Sequence, residues 1–214
     1  MLSLGTDVLL ARMLVILLGI PIHEWAHCWA AHMLGDNTPE MQGRLSLNPM
    51  IHLDPIGTLM ILLTGFGWGR AAQVNPYQMR KASSPRAGMA LTAFAGPLSN
   101  IVQAFFLAIP FRLGWLSMYQ TNDPLGRLGD ILWMAIAVNI GLAVFNMIPV
   151  PPLDGSRILA GIAPPDIADF IESLEPMAPM ILIMVLFVLP MIGFNIIGIM
   201  VWPVQRLLFQ ILLP

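Results

Sequence analysis

Charge is what this sequence has least of. Only 10% of its 214 residues are Asp, Glu, Lys or Arg, against about 25% in an ordinary soluble domain. With 57% of its residues hydrophobic, the chain cannot cover a water-facing surface, and a lipid environment is expected instead. The net charge of −2 gives no basic surface to attract nucleic acid. Cysteine is almost absent: Cys28 stands alone, which excludes an internal disulfide and leaves the redox compartment open. The N-terminal stretch lacks the basic cluster of a secretory leader, and its apolar segment carries ionisable residues, so it is read as a retained helix. Repeats and low-complexity tracts are missing too, and no stretch is left over for a PDZ-like or other soluble domain.

What is present begins with His23-Glu24-Trp25-Ala26-His27. This is H-E-x-x-H, set between Leu14, Val15, Ile16, Leu17, Leu18 and Ile20 on one side and Trp29, Ala30, Ala31 and Met33 on the other. On a helix, two histidines four residues apart share a face and can bind one zinc ion from the same side. The intervening glutamate is then near the metal without ligating it, where it can accept a proton from water. Three ionisable groups inside an apolar helix are costly enough to be a functional-site hypothesis by default.

The apolar pattern predicts an all-α polytopic membrane protein with about five spanning helices. Residues 7–34 are long enough to cross a core that needs about 20 residues. Pro21 is expected to disturb that helix just ahead of the histidines, and Gly35 with Asp36-Asn37 to end it. Residues 35–55 are polar and turn-rich. The apolar run 56–66 is too short to cross and reads as a re-entrant segment. Around it, Met41–Leu47 and Arg70–Val74 alternate as a small membrane-embedded β element would. Residues 87–111 and 131–148 are the second and third spans, the latter stopped by Pro149, Pro151 and Pro152. Residues 156–176 are amphipathic to acidic. Two further apolar stretches, 177–192 and 194–213, meet near Gly193. The organisation expected is a catalytic membrane core over 1–160, with 35–86 as its cytoplasmic-side re-entrant region, and C-terminal helices over 161–214. Arg44, Arg70, Arg80, Lys81, Arg86, Arg157 and Arg206 fall on one side if 56–66 does not cross, with Arg112 and Arg127 on the other. The positive-inside rule then makes the first side cytoplasmic.

A catalytic zinc needs three protein ligands and one open position. Asp154 is the best third ligand. It follows the proline break in NMIPVPPLDG at the end of the third span toward which the first helix also carries His23 and His27. A turn residue in Leu-Asp-Gly is the alternative. His32 points to another face than His27, His52 suits a structural hydrogen bond in a loop, Cys28 suits packing, and Arg12 suits snorkelling at the outer end.

H-E-x-x-H in a membrane helix, followed by LNPMIHLDPIGT, GPLSN and NMIPVPPLDG, resembles the site-2 protease family of intramembrane zinc metalloproteases, over roughly residues 10–160. The resemblance is to the compact prokaryotic branch without PDZ domains. It implies one Zn2+ per chain held by His23, His27 and Asp154, and Glu24 as the catalytic glutamate. It also implies a transmembrane protein substrate cleaved in or near its span, a prokaryotic plasma or inner membrane, and an active site toward the cytoplasm. Asn146 matches an asparagine that positions substrate or the oxyanion; an interhelical hydrogen bond stands beside that reading. Asn100 and Asn139 are read as packing or hydrogen-bond residues. Homo-oligomerisation is left open. Two other classes remain: a metal transporter or sensor using the same ligands, and an inactive binder of membrane segments.

Overall fold

A computed structural model describes residues 5–64, 67–116 and 124–213. Helix α1 runs over Thr6–Leu34. Its backbone widens to a π-helical turn at Val15–Gly19 and returns to α-helix at Ile20, with Pro21 in the first turn of the resumed helix. The proline that removes a donor is thus accommodated by a π turn ahead of it, an irregularity frequent at functional sites. Gly35 ends the helix in the left-handed region, φ 109°, as a C-terminal glycine does.

The chain then folds into single-turn helices at Thr38–Met41 and Pro49–His52 and into helix α2, Pro55–Thr64. The two expected strands are not formed. Met41 to Leu47 is a series of turns and residues 70–74 have no regular structure. Side chains take the place of a ladder here. Arg44, buried, donates from Nη1 to the Ile51 carbonyl at 2.5 Å and the Arg70 carbonyl at 3.1 Å. Trp25 Nε1 on α1 donates to the Leu45 carbonyl at 3.0 Å. The one β-bridge among the described residues joins Leu53 to Gly69. Beside it the Arg70 N–H donates to the His52 carbonyl at 2.7 Å. Leu53 and Gly69 are therefore tied together; residues 65 and 66 of the expected re-entrant run lie outside the described residues. Arg12 Nη1 donates to the Leu62 carbonyl at 2.6 Å, near the C-terminal end of α2, where a cation is favoured.

Helix α3, Pro85–Arg112, is the hub. Ser84 caps it by accepting from the Ala87 N–H, and Pro85 occupies the first turn, both good helix starts. Gly88, Ala90, Ala93, Gly96, Ala104 and Ala108 are buried along it. Their small side chains let α1, α4 (Pro124–Asn146) and α5 (Asp154–Ile162) pack closely against it, the usual device of helix packing in lipid. Ile136 and Ile140 of α4 are fully buried against Ala104, Ala108 and Phe111, with Leu212 and Leu213 closing that end. Asn146 is the last residue of α4, and the proline-rich turn carries the chain to α5.

The C-terminal part differs from the expectation. The acidic segment and the first apolar stretch join into one helix, α6, Pro165–Met191, through turns at Glu175–Met177 and Met184–Val188. Gly193 breaks the chain with φ 91°, and α7 follows over Ile196–Leu212. At 17 residues and about 1.5 Å each, α7 falls short of a core about 30 Å thick. Among the described residues four helices are long and apolar enough to cross: α1, α3, the Arg127–Asn146 part of α4, and α6.

Candidate metal centre

His23 and His27 lie one turn apart on α1, and Asp154 opens α5 immediately after the proline break. The three meet although they come from distant parts of the chain. The two Nε2 atoms are 3.0 Å apart, and each is 3.4 Å from Asp154 Oδ2. They are the one group of His, Cys, Asp or Glu side chains among the described residues placed to hold a metal ion. His23 and Asp154 are buried.

The donor set can be tested for zinc on its own geometry. Ligand atoms at about 2.0–2.2 Å from a tetrahedral zinc stand about 3.3–3.6 Å from one another; the two histidine-to-aspartate separations of 3.4 Å match such a face, and the histidine pair is somewhat closer at 3.0 Å. Protonation points the same way. His23 Nδ1 donates to Asn100 Oδ1 at 2.6 Å, and His27 Nδ1 to the Thr92 carbonyl at 2.7 Å. With both neutral imidazoles protonated on Nδ1, both Nε2 lone pairs face Asp154 Oδ2, a buried oxygen with no hydrogen-bond partner. Three acceptors in contact repel one another unless a cation sits among them.

Gly96 of α3 backs the pair. A Cβ there would overlap His27 Cε1 and Nε2 and crowd His23 Cε1, so only glycine lets α3 approach both rings. Glu24 sits beside the pair on α1, and the Gly69 backbone packs against its side chain and Ile20. Asn146 is placed differently. Its Nδ2 donates to the Leu142 carbonyl at 3.0 Å, one turn back in its own helix; no hydrogen bond joins it to the cluster, and the bond it makes is not interhelical. His32 Nδ1 is 3.6 Å from Glu40 and apart from the cluster. His52 is fully buried and donates from Nε2 to the Ser46 carbonyl at 2.7 Å. Cys28 is buried packing. The supports of the imidazoles, Asn100, the Thr92 carbonyl and Gly96, carry no ligand chemistry of their own. The sequence signal for Gly96 and Asn100 is the GPLSN run inside a spanning helix, and Thr92 has none.

Residues 113–191, which include Asp154 but not the histidine pair, match the family model of Peptidase family M50. The protein called Putative zinc metalloprotease YwhC, from Bacillus subtilis, is 37% identical over 184 residues, covering 83% of this chain and 80% of its own. Putative zinc metalloprotease Rip2 of Mycobacterium tuberculosis is 26% identical over 196 residues, 87% of this chain and 70% of its own. Its counterpart of the same name in Mycolicibacterium smegmatis is 29% identical over 149 residues, 65% and 52% respectively. No solved structure gives a significant match.

Proposed function

The chain belongs to peptidase family M50, the site-2 proteases, and from that premise we propose an integral-membrane zinc endopeptidase that hydrolyses peptide bonds in or near the spans of other membrane proteins. The observation that carries the reading is the meeting of His23 Nε2, His27 Nε2 and Asp154 Oδ2 around one point at the edge of an apolar helix bundle.

His23, His27 and Asp154 would hold the zinc, which when bound supplies a Lewis acid for a peptide carbonyl and makes water more acidic. Glu24 takes the proton of the attacking water and delivers it to the leaving amine. Asn146, at the end of α4 where the chain turns toward Asp154, is assigned to positioning of the substrate near the scissile bond. A helical substrate hides its amides and must unwind first. The stretch that follows Gly69, whose backbone is in no regular element, is where an unwound segment could pair by its main chain, which is the role we give the region 35–86. Residues 1–160 form the catalytic core and 161–214 the C-terminal helices.

The bridge between Leu53 and Gly69 supports a re-entrant course for the segment between them; on that reading Arg44, Arg70, Arg80, Lys81 and Arg86 stay on the side of the metal ligands, in keeping with a cytoplasm-facing site in a prokaryotic inner or plasma membrane. Of the arginines assigned to the other side, Arg127 pairs with Asp7 at 3.0 Å and Arg112 donates to the Leu212 carbonyl at 2.8 Å. A transporter would place ionisable groups along a path, whereas the described residues hold one such cluster. An inactive binder has no use for Glu24. The deciding experiment compares membrane fragments released by wild type and by Glu24→Gln. The protease reading expects release to stop while zinc stays bound; unchanged release defeats it.

A further inference from the structure

Behind His23 runs a chain of amides that the proposed chemistry does not use. Asn100 Nδ2 donates to Asn139 Oδ1 at 2.9 Å and to the Gly19 carbonyl at 3.4 Å. Asn139 Nδ2 donates to the Ala135 carbonyl at 2.9 Å. Asn100 is fully buried and Asn139 is 2% exposed, so water cannot substitute for a lost partner. The links join three helices: Gly19 and His23 on α1, Asn100 on α3, Ala135 and Asn139 on α4.

The direction of every link follows from the far end. Ala135 offers a carbonyl, which only accepts, so Asn139 must turn its NH₂ there and its oxygen toward Asn100. Asn100 then faces two acceptors, Asn139 Oδ1 and the Gly19 carbonyl, and must turn its own NH₂ to them. That leaves Asn100 Oδ1 against His23 Nδ1, which must carry the ring proton. Nε2 is left with its lone pair aimed at Asp154 and His27. Flipping either amide would place donor against donor or acceptor against acceptor in a dry interior, so the order is self-locking. His27 needs no such device, because its Nδ1 meets the Thr92 carbonyl, a fixed main-chain acceptor.

We propose that Asn100 and Asn139 are positioning residues for metal capture: Asn100 fixes the tautomer and ring plane of His23, and Asn139 acts through Asn100. The inference rests on the reading of His23 as a metal ligand. Outer partners of ligating histidines are worth about 10- to 100-fold in metal affinity.

The test uses the full-length protein in detergent, with cobalt(II) as probe and chelator competition and the visible cobalt spectrum as readouts. Asn100→Leu is expected to weaken cobalt binding by about 10- to 100-fold and to shift the spectrum. Asn100→Asp keeps an acceptor for His23 Nδ1 but loses the donors to Asn139 Oδ1 and the Gly19 carbonyl, so it should recover the affinity only in part. Asn139→Leu should weaken binding less, and should add nothing to Asn100→Leu, since it acts on the metal only through that residue. Wild-type affinity and spectrum in folded Asn100→Leu overturn the proposal. If Asn100→Leu does not fold, Asn139→Leu decides, and an unchanged cobalt spectrum there overturns the proposal. A wild-type protein that binds no cobalt or zinc defeats the metal-site reading itself, a different outcome from any of these.

Discussion

Replacing Gly96 by alanine puts a methyl group where the two imidazoles already are. The added carbon would overlap His27 Cε1 and Nε2 and stand 2.7 Å from His23 Cε1, inside any normal carbon contact. Neither ring is free to swing aside, because its Nδ1 is tied to Asn100 or to the Thr92 carbonyl. The strain of overpacking is typically about 1–3 kcal/mol. Much of it falls on the ligand geometry, and at about 1.4 kcal/mol per tenfold it corresponds to a loss of about 5- to 150-fold in zinc affinity. Chelator competition on purified protein measures this directly, with proteolysis falling in parallel. Gly141→Ala is the control. A Cβ there meets only Gln205 Nε2, at 4.0 Å, so the change should leave metal binding alone and favour the helix by about 0.5–1 kcal/mol. A Gly96→Ala protein with wild-type zinc affinity would refute the account of α3 as the wall behind the histidines.

Stripping zinc should lower the thermal midpoint, because a ligand at 100 times its Kd stabilises by about 2.7 kcal/mol; a midpoint unmoved by chelator would count against a native metal site. Asn146→Ala should lower kcat by up to about 10²- to 10³-fold, the range for a lost oxyanion donor, while zinc content stays constant; equal loss of zinc would instead assign Asn146 to the fold. Arg86 donates to Glu172 at 2.8 and 2.9 Å and contacts Asp169, linking the start of α3 to α6. Arg86→Ala should therefore speed protease nicking around 163–175 with little change in the midpoint, and nicking at the wild-type rate would dismiss that tie.

The pentad, the proline break before Asp154 and the glycine that ends α1 were legible because each is a local signal with one physical meaning. The helix over Pro55–Thr64 was legible from its apolar run. The strands were misjudged, since alternation in Met41–Leu47 reports sidedness, not pairing, and the fixing partner is the buried Arg44 reaching carbonyls far along the chain. The join of the acidic segment to the following apolar stretch in α6 was hidden by Pro176 and Pro179, which interrupt a pattern without ending the helix. Asn100 and Asn139 were seen as hydrogen-bonding residues, but their order could not be, because it is set by carbonyls on other helices.

Asp154 comes from a different element than the histidines, and this bears on how the protein is made. The two imidazoles enter the bilayer with α1, whereas the carboxylate emerges from the ribosome only after α3 and α4. Until then a captured ion has two anchors instead of three and is readily lost. On the proposed ligand set, competence to cut therefore arrives only once α5 has brought Asp154 to the histidine pair.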